Sequence, residues 1–147
     1  MALETWMGTL KTKLAEISGL VQVHKYDELP GALLVFPSCI ITLKEGGFSY
    51  GTGGPLLSEH DIQITIYTSA QILPEAHNVA ASFIVPVRNK LAANMKLDNT
   101  VKAIMPTPEG PTYQGPGQIT YADKVHVGVT FHYRVLEDET GGYTVSQ

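Results

Sequence analysis

From Lys124 to Leu136 the chain alternates without a break. Val125, Val127, Val129, Phe131, Tyr133 and Val135 fall on every second residue, and His126, Gly128, Thr130, His132 and Arg134 take the places between. Only a β-strand puts alternate residues on opposite faces, so this run predicts a strand with one buried face. At about 3.3 Å per residue it extends roughly 40 Å, longer than most strands, and it predicts a backbone on which several shorter strands pair. A second clean alternation, Asp61-Ile-Gln-Ile-Thr-Ile-Tyr-Thr68, is its natural neighbour, with Ile62, Ile64 and Ile66 on one face.

Helical spacing appears twice. Leu3, Trp6, Met7, Leu10, Leu14 and Ile17 recur every three or four residues, which predicts an amphipathic helix stopped at Ser18-Gly19, with Trp6 in the core. Gly8 weakens this helix by about 1 kcal/mol relative to Ala, so it depends on packing against a sheet. The second helix begins at Pro74 and runs to Asn94 with Ala76, Val79, Ala80, Phe83, Ile84, Val87 and Leu91 as its stripe. Pro86 lies inside that span and its ring displaces the carbonyl four residues back, at Ser82. A kink or a split is expected there.

Between these elements, Leu20 to Glu28 alternates weakly and reads as a first strand ended by Leu29-Pro30-Gly31. Ala32–Phe36 and Cys39–Lys44 read as two strand pieces, or one bulged strand, around Pro37-Ser38. Residues 45–59 hold five glycines between Gly46 and Gly54, the composition of a loop or hairpin tip. Thr100–Met105 reads as a short strand. The twelve residues from Pro106 to Gly117 contain four prolines and three glycines and predict an extended loop without regular structure. Gln118–Ala122 is a β segment leading into the long strand. The expectation is an α+β fold: a single mixed, mainly antiparallel sheet, two helices on one face and a long Gly-rich hairpin. Residues 1–137 form one domain and residues 138–147 a polar, flexible tail.

Chemistry is harder to find. A net charge of −4 with scattered Lys and Arg argues against gripping nucleic acid through its phosphates. The lone Cys39 makes neither an internal disulfide nor a Cys-rich zinc site and reads as a buried small hydrophobe. His126 and His132 share a strand face but lie roughly 20 Å apart, too far to hold one ion. His60 and His77 read as surface residues. The glycine-rich stretch lacks both the Gly-Lys-Ser/Thr ending and the G-x-G-x-x-G spacing of phosphate cradles, and no nucleophile sits in a recognisable setting. No catalytic, cofactor or metal residue is assigned, and the chain is expected not to be an enzyme. No apolar stretch reaches the roughly 20 residues that span a bilayer, and the expected compartment is reducing and aqueous, with no membrane partner. The polar face of the long strand is expected on a subunit interface or a solvent-facing wall.

What stands out is the 45–59 stretch. Phe48, Tyr50, Leu56 and Leu57 are large apolar residues in a segment whose composition says loop, which leaves a partner-binding arm and a plain flexible hairpin as the two readings. Glu45, Glu59 and Asp61 bracket it, and Glu137-Asp138-Glu139 closes the last strand. Solvated strand ends are the ordinary explanation of those acids.

The order of elements, carried by Leu29-Pro-Gly-Ala-Leu-Leu-Val-Phe-Pro37, Asp61-Ile-Gln-Ile-Thr-Ile-Tyr67, the helix from Pro74 to Asn94 and Tyr121-Ala-Asp-Lys-Val-His-Val-Gly-Val-Thr-Phe-His-Tyr-Arg-Val135, resembles the tail terminator proteins of long-tailed bacteriophages. The likeness rests on arrangement and covers nearly the whole chain except the tail. It implies a subunit of a homo-hexameric ring in the virion, assembled in the host cytoplasm, that caps the tail tube protein, stops tube growth and meets the head connector or head-closure protein. The hairpin, with Phe48, Tyr50, Leu56 and Leu57, is then the arm. Glu137, Asp138 and Glu139 are the connector contact, and Glu45, Glu59 and Asp61 face a lumen through which DNA passes without specific binding. Sheet edges paired across the ring, by β-augmentation, are the implied mode of assembly. A head-closure or neck protein of the same junction, a small-molecule-binding α+β domain, and an enzyme with a dispersed site are the alternatives.

Overall fold

The computed structural model describes residues 2–50, 56–69 and 74–139. In chain order the elements are α1 (Ala2–Ala15), β1 (Gln22–His24), β2 (Ser38–Tyr50), β3 (Leu56–Ser69), α2 (Pro74–Ser82), α3 (Ile84–Ala93), β4 (Ala103–Pro106), β5 (Tyr113–Tyr121) and β6 (Lys124–Glu139). The six strands form one mixed sheet in the order β1-β2-β3-β6-β4, with β5 also paired to β6. Among the described residues only the β1–β2 pair is parallel.

The long C-terminal strand is the backbone that its alternation predicts. One edge of β6 pairs with β3 along almost its whole length, from Val127 to Glu139. The other edge is shared, β5 covering Lys124–Phe131 and β4 covering Tyr133–Leu136. Val127, Val129, Phe131, Tyr133 and Val135 are all buried on the face that carries the helices, together with Ile62, Ile64 and Ile66 of β3 and Cys39 and Ile41 of β2. Val125 is the exception in the apolar series. It sits one residue into the strand and is 42% exposed.

Both helical stripes pack on that face. Trp6, Met7, Leu10 and Leu14 of α1 are fully buried in the same core as Ala80, Phe83, Val87 and Leu91. Gly19 takes a φ of +91° just after α1, the left-handed conformation open to glycine without steric cost. The second helix is split where Pro86 requires it. Pro86 has no N–H to give the Ser82 carbonyl, so α2 ends at Ser82 and α3 restarts at Ile84 with the proline in its first turn, and Val87 N donates to Phe83 O at 3.0 Å. Asn94 closes α3, its side-chain amide donating to the Lys90 carbonyl at 2.8 Å.

Elsewhere the local expectations need correcting. Ala32–Phe36 forms no strand. Leu33 and Phe36 instead fold over the opposite face of the sheet, in a second small core with Ile40, Tyr67, Ile119 and Tyr121. The first strand shrinks to three residues. The Pro/Gly-rich 106–117 segment is not wholly irregular, because β5 begins at Tyr113. Its ladder breaks between Gln114 and Gly117, where Gly115 takes a φ of +104°, so the bulge absorbs Pro116. The β5–β6 hairpin turns on Ala122 and Asp123, both at positive φ (50° and 65°), as a two-residue turn of this hand demands. The glycine-rich stretch is a hairpin whose strands run to Tyr50 and restart at Leu56, and its tip lies outside the described residues. β6 continues through Glu139, and residues 140–147 lie outside them too.

Candidate functional site

The face of the sheet away from the helices divides into two halves. At one end the loop before β2 closes over it. The Tyr121 hydroxyl donates to the Pro30 carbonyl and fastens the Leu29-Pro30-Gly31 turn to β5. His126 is only 2% exposed there. Its ring lies 5.5 Å from Phe36 and 5.7 Å from Tyr67, and its Nδ1 is 3.2 Å from the Ser69 carbonyl. The alternation puts His126 on an open polar face, and the structure buries it, because Phe36 and Tyr67 reach it from segments distant in sequence. The same burial pushes the Tyr67 phenol up to about 12.

The other half is open and polar. Arg134 stands opposite Asp61, donating from Nε to Oδ1 at 2.8 Å and from Nη2 to Oδ2 at 3.4 Å, while its Nη1 lies 3.7 Å from Glu59 Oε2. Asp61, by hydrogen bond and charge, holds the guanidinium above its ordinary range. Glu59 and Asp61, two of the expected lumen acids, therefore share one cation, and the exposed Glu45 stands beside them across a shallow hollow floored by Gly46 and Gly47. Beyond Arg134, His132 Nε2 is 3.0 Å from Gln114 Oε1 at the edge of a cleft of about 190 Å³ that also includes Lys44 and Glu109. Lost hydration and, secondarily, Lys44 push the imidazole below its usual value. Gln114 was invisible as a neighbour in the sequence, because its strand lies inside the Pro/Gly-rich stretch.

On the helix-side face the hairpin carries an exposed aromatic at the outer edge of the sheet. Phe48 is 73% exposed there, and Leu57, on the other face, is half-buried. Tyr50 and Leu56 pair with each other at the end of the ladder, though their side chains lie outside the described residues, as do those of Asp138 and Glu139. Glu137 does not present its carboxylate to solvent. It pairs across the ladder with Ser58 and both are buried on the helix-side face. His60, read as a surface residue, is half-buried with its ring 5.5 Å from that of Trp6. His77 is half-buried as well.

Cys39 is fully buried, and burial pushes its thiol up. Among the described residues no three His, Cys, Asp or Glu side chains are grouped to hold a metal ion, and no helix is long and apolar enough to cross a membrane.

The chain is thus an α+β protein of the mixed-sheet class, with one face sheathed by helices and the other half open. Its sequence matches no family model and no curated protein.

Proposed function

We propose that this chain is a structural virion subunit of the head–tail junction, a tail terminator that assembles with copies of itself into a ring on the last ring of the tail tube protein. The observation that carries the reading is the hairpin. β1 pairs with β2 only over Ser38–Ile40, so from Ile41 to Tyr50 the outer edge of β2 has no strand beside it among the described residues, and the exposed Phe48 lies on that same segment. A long open edge with an exposed aromatic is a hazard in a monomer and an asset in an assembly. The element order that resembles the tail terminators supports the same reading. The ring caps the tube, stops its growth and offers its far side to the head connector, with DNA passing through the lumen. Glu45, the acid outside the Arg134 cluster, is the strongest lumen candidate of the three.

Light scattering on the purified protein, alone and with tail tube protein, tests this. A particle of about six subunits, or one that forms only with tube protein, supports the proposal. A strict monomer that ignores tube protein overturns it. Binding to a head-closure ring in place of the tube moves the chain to the neck position of the same junction.

A further inference from the structure

The segment from Leu29 to Phe36 crosses the closed half of the second sheet face. Among the described residues, no backbone hydrogen bond joins residues 29–36 to the sheet. Both ends of the segment are anchored. Ahead of it, Glu28 N donates to Lys25 O at 2.9 Å, and the Lys11 ammonium meets Glu28 Oε1 at 2.7 Å. Behind it, Val21 N donates to Pro37 O at 3.0 Å, and β2 pairs with β1 from Ser38 onward. Between these anchors the hold is by side chains. Leu33 and Phe36 pack on Ile40, Tyr67, Ile119 and Tyr121, and the Tyr121 hydroxyl donates to the Pro30 carbonyl.

This small core is separate from the one under the helices. Cys39 and Ile41 point into the main core, and Ile40 between them points the other way, into the small one. Phe36, Ile119 and Tyr121 are only half-buried in it. Leu29, Leu34 and Val35 are 48%, 86% and 38% exposed, so much of the segment's apolar surface does nothing to hold it down. Beneath it lies His126, nearly without exposure, with its ring 5.5 Å from that of Phe36.

We infer that Leu29–Phe36 is a strap that lifts as a unit about its two anchored ends while the main core stays folded. A segment held by few buried contacts opens at a lower free energy than the sheet beneath it. Shut, the strap leaves the half with His132 and Arg134 open. Lifted, it uncovers Ile40, Tyr67, Ile119 and His126, and the second face becomes one continuous surface. The strap thus sets how much of the sheet the protein presents. Lifting is a property of the single chain and needs no ring.

Two native side chains report the two kinds of opening. Diethylpyrocarbonate reaches His126 when the strap lifts, and a thiol reagent reaches Cys39, fully buried in the main core, when the sheet itself opens. Each modification rate in the folded protein, followed by mass spectrometry and divided by the rate in the urea-unfolded chain, gives an opening constant. The His126 constant is expected to exceed that of Cys39 by at least about tenfold and to change little in low urea, where the Cys39 constant climbs with the larger surface exposed. Tyr121→Phe removes the tether and should raise the His126 constant by about two- to tenfold while leaving that of Cys39 unchanged. Equal constants in the wild type, both climbing with urea, overturn the strap. So does a Tyr121→Phe variant in which the two constants move together.

Discussion

Arg134 and Asp61 face each other across the β6–β3 ladder, and the guanidinium reaches both carboxylate oxygens, at 2.8 Å and 3.4 Å. Each side chain is about 15% exposed, so water screens the pair less than it does a fully exposed one. A double-mutant cycle with Asp61→Asn and Arg134→Gln is expected to give a coupling of about 0.5–1 kcal/mol, smaller in high salt. Each single variant that loses the full coupling lowers Tm by about 1–4 °C. A coupling near zero at low salt would show the pair to be incidental.

His132 gives a pH dependence whose sign is fixed. Its folded pKa lies below the ordinary 6.5, through burial first and Lys44 second. As pH falls through 6.5 the unfolded chain takes up this proton before the native protein does, so stability drops with falling pH and levels off below the depressed value. His132→Gln should flatten urea-unfolding stability across that window. Lys44→Met should move the imidazole titration, read by NMR, back upward. A titration at or above 6.5 in the native protein contradicts this account.

Among the described glycines, Gly128 has the least room for a side chain. A Cβ there would stand 2.3 Å from the Ile66 carbonyl oxygen, an atom of the paired backbone that cannot swing aside. Gly128→Ala is expected to cost about 1–3 kcal/mol in chemical denaturation. Gly47→Ala, with nothing within 4 Å of the added carbon, is the matched control and should change little.

Ala122 holds a φ of 50° at the first position of the β5–β6 turn, where an L side chain is strained. Ala122→Gly should stabilise by about 0.5–1 kcal/mol, because relief of that strain outweighs the added freedom of the unfolded chain. A destabilised variant would mean that this turn is held by something other than its backbone conformation.

The turn also shows where reading from sequence stops. Ala-Asp lacks the Asn-Gly signature of such hairpins, so the β5–β6 connection was legible only as a short link between two β segments. Phe48 drew notice in the sequence as a large aromatic among glycines, and its exposure in the structure is what makes it a candidate contact. Glu137 drew notice as part of an acidic run, and its burial beside Ser58 was hidden because cross-strand register joins residues nearly eighty positions apart.

The sequence by itself determined whatever depends on local periodicity: the two alternating strands, the two amphipathic stripes, the break at Pro86 and the α+β class. Period two and period 3.6 are properties of neighbouring residues, and each commits one face of its element to a core. Only the tertiary structure decided which end of the second sheet face is closed. His126 and His132 are equivalent in the alternation, yet Phe36 and Tyr67 bury one while the other meets Gln114 at the edge of an open cleft. It also left Phe48 exposed on the outer edge of β2. Long-range pairing fixes those placements, and no window of consecutive residues contains them.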